Sequence, residues 1–114
     1  MDEVDVDLVR DMLRYSEIAV RLLGSADAVE FSRDERTNLA VRHALQIVGE
    51  AASRISAKGR AEFWGVPWDK VVGMRHHLVH GYRQLRAEIV VRTVRESLPE
   101  LIAALKDALK DQRQ

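Results

Sequence analysis

The sequence predicts an all-α protein, an antiparallel bundle of about five helices. Apolar residues recur at three- and four-residue steps almost throughout, which is the spacing of one helix face. Glycine, proline and capping residues interrupt this pattern at intervals typical of helix ends. No stretch alternates between apolar and polar residues for long enough to make a convincing strand. The interruptions are short, so neighbouring helices are expected to run antiparallel.

The length of 114 residues fits a single domain, residues 1–114, with one modest core. Burial of an apolar face against a second copy would enlarge that core, so a symmetric dimer is a reasonable expectation. The start is acidic and unlike a secretory signal, and no apolar run approaches the ~20 residues that span a bilayer. The absence of cysteine excludes disulfides and thiolate metal sites. We therefore expect a soluble, cytoplasmic protein.

The charge balance limits the possible partners. There are 18 basic and 18 acidic side chains, so the formal net charge is zero. This argues against a dedicated high-affinity nucleic-acid binder, which usually carries a basic excess. It remains compatible with a local basic site, because phosphate contacts depend on nearby charge.

The first two predicted helices follow from their apolar faces and from the residues at their ends. The first helix ends at Gly24-Ser25, and its apolar face consists of Leu8, Met12, Tyr15, Ala19, Leu22 and Leu23. A loop containing Phe31 follows. Asp34 then caps a second helix over about 35–57, which Lys58-Gly59 ends. The inward residues of that helix are Ala44, Leu45, Val48, Ala52 and Ile55.

Three further helices complete the predicted bundle. Gly65-Val66-Pro67 is the break before the third helix, for which Asp69 is the N-cap and Gly81 the end. Its apolar stripe is Val71, Val72, Leu78 and Val79. A fourth helix spans 87–97 with Ile89, Val90 and Val94 buried. Ser97-Leu98-Pro99-Glu100 resembles a capping box, opening a last helix with Leu101, Ile102, Leu105 and Leu109 inward.

The segment Arg75-His76-His77-Leu78-Val79-His80-Gly81-Tyr82 carries the chemistry. RNA phosphodiester cleavage needs a base near neutral pH for the 2′-hydroxyl proton and a fixed cation for the charge on phosphate. Histidine, with an ordinary pKa of about 6.5, suits the first role, and arginine suits the second. On a continuous helix Arg75 and His80 lie roughly 140° apart. They converge only if the helix ends near Gly81 and turns His80 back, or if a dimer completes the site.

Several landmarks accompany this segment. They are Phe31 with Asp34, Gly49-Glu50-Ala51, Pro67-Trp68 and Leu98-Pro99-Glu100-Leu101. With them, the segment resembles the Arg-x4-His-x-Tyr motif of HEPN-domain ribonucleases. The resemblance is strongest to the HepT toxins that pair with minimal nucleotidyltransferase (MNT) antitoxins. Position 76, commonly Asn in HepT proteins, is His here, and an acidic residue common after the tyrosine is replaced by Arg83-Gln84-Leu85-Arg86.

The resemblance implies a HEPN-type bundle and a metal-independent endoribonuclease toxin of a bacterial toxin–antitoxin pair. It also implies a homodimer in which the motif residues of both subunits line one cleft, without any cofactor. Arg75 and His80 would be catalytic, with Arg75 on the phosphate, His80 as acid/base and His76 in support. The MNT antitoxin would silence the toxin by adenylylating Tyr82, because anionic bulk beside the cleft repels RNA. Apart from the resemblance, Arg83 and Arg86 are the RNA-binding candidates, because arginines outnumber acidic residues around the motif.

Simpler interpretations remain open for the same residues. Arg75 can pair with a carboxylate, and His80 can be stabilised at a helix C-terminus. His76 and His80 have zinc-ligand spacing, although no third ligand is indicated. Tyr82 can be a half-buried aromatic residue with its hydroxyl at the surface. The whole domain can also be a non-catalytic partner or substrate-binding subunit of a nucleotidyltransferase, or a structural bundle.

Other conspicuous residues have structural explanations. Trp64 and Trp68 are interpreted as packing anchors around the Pro67 turn, and His43 as a histidine without chemistry. Arg92 is expected to pair with Glu88 and Glu96 on one helix surface. For Gly49-Glu50 two interpretations are equally good: Glu50 orients Arg75, or Gly49 eases a helix contact beside a surface glutamate.

Overall fold

The architecture is a bundle of α-helices, seen in a computed structural model that describes residues 2–80 and 86–111. The side chains of residues 77–80 and 111 lie outside that description. The helices are α1 (Glu3–Leu23), α2 (Ala28–Arg33), α3 (Glu35–Arg54), α4 (Ala57–Glu62), α5 (Trp68–His80), α6 (Ala87–Arg92) and α7 (Leu98–Asp111), with a π-helical turn (Thr93–Ser97) between the last two. The described ranges contain no strand, which confirms the predicted all-α class.

Helix α1 begins and ends for identifiable reasons. The Asp2 carboxylate accepts a hydrogen bond from the Asp5 backbone N–H at 2.9 Å, which satisfies a free donor of the first turn. Gly24 ends the helix, as predicted, with a positive φ of 55° that disfavours other residues. Of the predicted face, Leu22 is the exception at 41% exposed, because it lies about 100° around the helix from the buried Leu23.

Helix α2 stands where the sequence predicted a loop. The Asp27 carboxylate accepts from the Glu30 backbone N–H, and the Glu30 carboxylate accepts from the Asp27 backbone N–H. This capping box has the Asp-x-x-Glu spacing, so the signal was present in the sequence. The short helix turns Phe31 inward, where it is fully buried.

The predicted N-cap of α3 is confirmed, but its predicted end is wrong. The Asp34 carboxylate accepts hydrogen bonds from both the hydroxyl and the backbone N–H of Thr37. The helix stops at Arg54 because Ile55 is extended, with a ψ of 135°. Lys58 and Gly59, predicted to end this helix, lie inside α4.

Helix α5 is anchored at its first residue. The break over residues 65–67 is confirmed, and the Trp68 indole N–H donates to the Phe63 carbonyl at 2.9 Å. Asp69, predicted as the N-cap, instead lies in the first turn, so that prediction is wrong.

The predicted capping box at Ser97 is also wrong, because the chain passes from α6 to α7 without a break. The Leu98 backbone N–H donates to the Thr93 carbonyl five residues earlier, which is the π-helical pattern. The wider turn directly precedes Pro99, which has no N–H for the Arg95 carbonyl. A helix that would otherwise stop at this proline therefore continues.

The packing places α3 at the centre of the bundle. It contacts α1 on one side and α5 on another, while α7 packs on α1. The largest fully buried side chains include Met12, Phe31, Leu45, Leu98 and Leu105. Ile89 was predicted to be buried but is 43% exposed. In the described part of the chain, no helix has the length and apolar character needed to cross a membrane.

Candidate functional site

The candidate site is built on a close approach of α3 and α5. A Cβ atom added to Gly49 would come within 3.0 Å of the Arg75 Cα and 3.1 Å of its backbone nitrogen, and nearer still to its Cβ. No larger residue fits there without moving α5. Gly49 therefore fixes where Arg75 lies relative to the core, which answers the question that the sequence left open at Gly49-Glu50.

The Arg75 guanidinium is partly buried and incompletely hydrogen-bonded. Its Nε is buried and finds no acceptor among the residues that the structure describes. Glu50 is exposed and makes no hydrogen bond or ion pair with Arg75. A buried N–H donor without an acceptor is costly, so such atoms require an explanation. A phosphate oxygen is an acceptor that a guanidinium fork matches well.

The other motif residues are placed only in part. His76 is exposed on α5, and His80 is the last residue of that helix, although its side chain is not described. Because α5 is helical as far as His80, positions 75 and 80 lie about 140° apart around one axis. Tyr82 and Arg83 lie outside the described residues. Arg86 is exposed immediately before α6 and makes no capping hydrogen bond through its side chain.

The remaining arginines of this region have distinct environments. Arg95 donates to the Gly24 carbonyl at 3.0 Å and the Ala26 carbonyl at 2.6 Å, so it ties the π-helical turn to the end of α1. Arg92 is exposed, and it pairs with neither Glu88 nor Glu96, all three lying in the described range. The predicted helix-surface pairs are therefore wrong. No sequence signal identified Arg95, whose partners are carbonyls about 70 residues away.

The two tryptophans behave differently from each other. Trp68 is 7% exposed and is the packing anchor that the sequence predicted. Trp64 is 85% exposed, so the same prediction is wrong for it. The Val66 backbone N–H donates to the Phe63 carbonyl, and this turn brings Val66 into the core instead. His43 is exposed on α3. Among the described residues, no group of three or more His, Cys, Asp or Glu side chains could hold a metal ion.

Comparison with known proteins identifies the family. A family model described as "Ribonuclease HepT-like" matches residues 12–108. A Methanocaldococcus jannaschii protein named as an RNase is 31% identical over 80% of this chain and 84% of its own length. A Thermococcus cleftensis protein named "Probable ribonuclease HepT" is 28% identical over 83% of this chain and 86% of its own. No solved structure matches the chain. The chain belongs to the HepT-like ribonuclease family.

Proposed function

We propose that this protein is a metal-independent endoribonuclease toxin with Arg75 and His80 as its catalytic residues. One observation carries the proposal: the backbone and Cβ of Arg75 lie against Gly49, and the buried Arg75 Nε lacks an acceptor among the described residues. The family supports the ribonuclease class. RNA supplies the missing acceptor as a non-bridging phosphate oxygen.

The proposed reaction is an internal transesterification. A neutral His80 imidazole takes the proton of the 2′-hydroxyl, and the 2′-oxygen attacks the adjacent phosphorus. Arg75 stabilises the negative charge that builds on the phosphate oxygens. The bond from phosphorus to the 5′-oxygen then breaks, and an imidazolium protonates that leaving oxygen. The products are a 2′,3′-cyclic phosphate and a 5′-hydroxyl, and no metal takes part.

A homodimer completes the proposed site. The reaction needs one neutral and one protonated imidazole, and positions 75 and 80 diverge by about 140° on the continuous α5. Two copies of the motif in one cleft provide two His80 imidazoles, one as base and one as acid. In this arrangement the exposed His76 supports the cleft. Arg83 and Arg86 contact the RNA backbone on either side of the cut.

Control of this activity is proposed to act at Tyr82. A cognate MNT nucleotidyltransferase, as antitoxin, transfers an adenylyl group from ATP to the Tyr82 hydroxyl and releases pyrophosphate; any further group is added to the AMP already attached. Each group adds a phosphodiester charge and the volume of a nucleoside two residues from His80. Substrate phosphate is then excluded by like-charge repulsion and by bulk.

The test is cleavage of tRNA and mRNA by the purified protein in EDTA, with intact mass confirming that Tyr82 is unmodified. Wild type should cleave, whereas Arg75→Ala and His80→Ala should lose both cleavage and growth inhibition while keeping their helical circular dichroism. Arg92→Ala is the matched control, since it removes an exposed arginine from α6, and it should cleave normally.

Two outcomes would contradict the proposal. Full activity in both site variants would remove Arg75 and His80 from the mechanism. No cleavage by unmodified wild type would instead favour a non-catalytic partner subunit of a nucleotidyltransferase.

A further inference from the structure

Trp64 lines the smaller of two adjoining hollows on the surface. The larger hollow, of about 660 Å³, is bounded by α5, α6, the π-helical turn and α7. The smaller, of about 260 Å³, includes Trp64 itself in its lining. Gly65 and Ala104 line both hollows, so the two adjoin. We call these hollows, together with Trp64, the Trp64 surface.

The Trp64 surface is mainly apolar and open to solvent. Side chains lining the larger hollow include Val71, Met74, Ile89 and Leu101. Ile89 is 43% exposed and Trp64 is 85% exposed. Single exposed apolar residues are ordinary, but an exposed tryptophan beside apolar hollows is typical of a binding hot spot. Such a surface gains free energy when another apolar group covers it.

Helix α7 adds two carboxylates to this surface. Glu100 lines the larger hollow and Asp107 lines the smaller one. They are seven residues apart, two turns on one face of α7, with Ala104 between them. Both are exposed, and neither makes a hydrogen bond or ion pair with a described residue. Lys70 is the cation that lines the larger hollow.

We propose that the Trp64 surface binds an amphipathic helical segment of another protein, with apolar anchors flanked by lysine or arginine. The hollows take the apolar anchors, and Trp64 covers them in the manner of helix-in-groove recognition. Basic side chains two turns apart on the segment meet Glu100 and Asp107. The inference is independent of the proposed catalysis, because Trp64 lies in the connection between α4 and α5 and not at Arg75.

The charges favour this occupant over two others. A second copy docked face to face on this surface would bring the same two carboxylates against Glu100 and Asp107, and like charges across an interface are unfavourable. RNA would bring its phosphates to Glu100 and Asp107, although Trp64 alone would suit base stacking. A basic amphipathic segment satisfies both the apolar and the acidic parts of the surface.

The test uses two synthetic amphipathic peptides of about 18 residues, long enough to become helical when bound. One is built from leucine and lysine, and the other from leucine and glutamate in the same pattern. Binding is measured by the anisotropy of labelled peptide, and tryptophan emission reports burial of Trp64. We expect the lysine peptide to bind and shift the emission to shorter wavelength. Trp64→Ala should weaken it about tenfold or more, as should the double change of Glu100→Lys and Asp107→Lys.

The matched control is Leu39→Ala, which removes an exposed apolar side chain, 54% exposed, from α3. It should leave peptide binding unchanged, and thermal melts should show that all variants fold. Equal binding of the glutamate peptide, or no effect of Trp64→Ala, would overturn the proposal. Two other results would also overturn the proposal. Self-association that Trp64→Ala abolishes would make a second copy of the chain the occupant of the surface. A shift of Trp64 emission by single-stranded RNA, but not by the lysine peptide, would make RNA the occupant.

Discussion

Two glycines bring a charged residue close to another helix, and the outcomes differ. A Cβ on Gly59 of α4 would come within 3.0 Å of the Asp5 Cγ, just as one on Gly49 of α3 would overlap Arg75. Asp5 is 3% exposed, and its carboxylate accepts hydrogen bonds from the backbone N–H and the hydroxyl of Ser56. Arg75 is also partly buried, but its Nε has no acceptor among the described residues.

The difference lies in hydrogen bonding: the Asp5 carboxylate is paired inside the fold, whereas the Arg75 Nε has no partner in the described part of the chain, as is also true of the Arg60 Nε on α4. Asp5 joins α1 to the start of α4, and its hydrogen bonds offset the cost of burying a carboxylate. The backbone of Arg75 packs closely against Gly49, but the Arg75 Nε–H donates no hydrogen bond to a described residue. A buried donor of this kind lowers stability and gains free energy when an anion arrives. Replacing Arg75 should therefore lower the rate of RNA cleavage, whereas replacing Asp5 should lower the free energy of unfolding.

The largest effect is expected for Arg75→Lys. Lysine keeps the positive charge but lacks the planar fork that meets two phosphate oxygens together. We expect the rate of RNA cleavage to fall roughly 10²-fold, the usual scale for losing one transition-state donor. The melting temperature should stay the same or rise slightly, because no described acceptor loses a hydrogen bond and the buried, unpaired Nε–H is removed. Single-turnover cleavage and a thermal melt check both parts, and a rate within threefold of wild type would place Arg75 outside the reaction.

A methyl group at Gly49 is expected to affect both stability and activity. Gly49→Ala forces α5 away from α3, since the new Cβ meets the backbone of Arg75 and not a flexible chain end. Overpacking of this kind costs about 1–3 kcal/mol. Cleavage should fall as well, because Arg75 moves with its helix. Urea unfolding and cleavage assays measure the two effects.

Gly73→Ala is the matched control for that change. Gly73 lies in α5, two residues before Arg75, and a Cβ there meets nothing within 4 Å. Alanine in a helix interior is favoured over glycine by about 0.5–1 kcal/mol. Gly73→Ala should therefore stabilise the fold and retain cleavage. A loss of stability in Gly73→Ala equal to that in Gly49→Ala would show that close helix approach is not the cause.

Asp5→Ala should change stability without changing catalysis. It removes the acceptor for two Ser56 donors and leaves a space beside Gly59, with an expected cost of about 1.5–3 kcal/mol. Cleavage per folded molecule should match wild type below the melting transition. Asp7→Ala is the control, because the Asp7 side chain is 75% exposed and pairs only at the surface with Arg10. An Asp5 variant as stable as the Asp7 variant would contradict the structural role.

The sequence predicted the long helices better than the short ones. Apolar spacing located α1 and α3 with their buried residues, and Gly24 and Asp34 located two of their ends. Helix α4 was missed because Lys58-Gly59 resembles a stop. Gly59 is needed there because the Asp5 carboxylate, about 50 residues away in the sequence, packs directly against it. The continuous passage from α6 to α7 was missed because a π-helical turn has no local sequence signature comparable with a cap.

The sequence identified the segment that contains the candidate site, but it did not predict how that segment packs against its neighbours. The motif identified Arg75 by its chemistry, yet only the packing of α3 on α5 shows that Gly49 supports it. The roles of Arg75, His76, His80, Tyr82, Arg83 and Arg86 stay predictions. Trp64 was predicted wrongly, because the sequence alone does not distinguish a buried tryptophan from an exposed one. That distinction depends on the turn from Phe63 to Val66.

The smallest effect is expected at Asp34, an exposed carboxylate that is satisfied like Asp5 but not buried. Hydrogen bonds from the Thr37 hydroxyl and then the Thr37 backbone N–H hold the pKa of Asp34 below its ordinary value. A carboxyl whose pKa is lowered on folding stabilises the protein above its unfolded pKa, and this contribution disappears as pH falls through the folded pKa.

Asp34→Ala should therefore lower the melting temperature slightly at neutral pH and not at strongly acidic pH. Melts of both proteins across that range test this, and Thr37→Val should reproduce part of the effect by removing the hydroxyl donor. A melting difference that persists unchanged in acid would mean that Asp34 acts through packing and not through its charge.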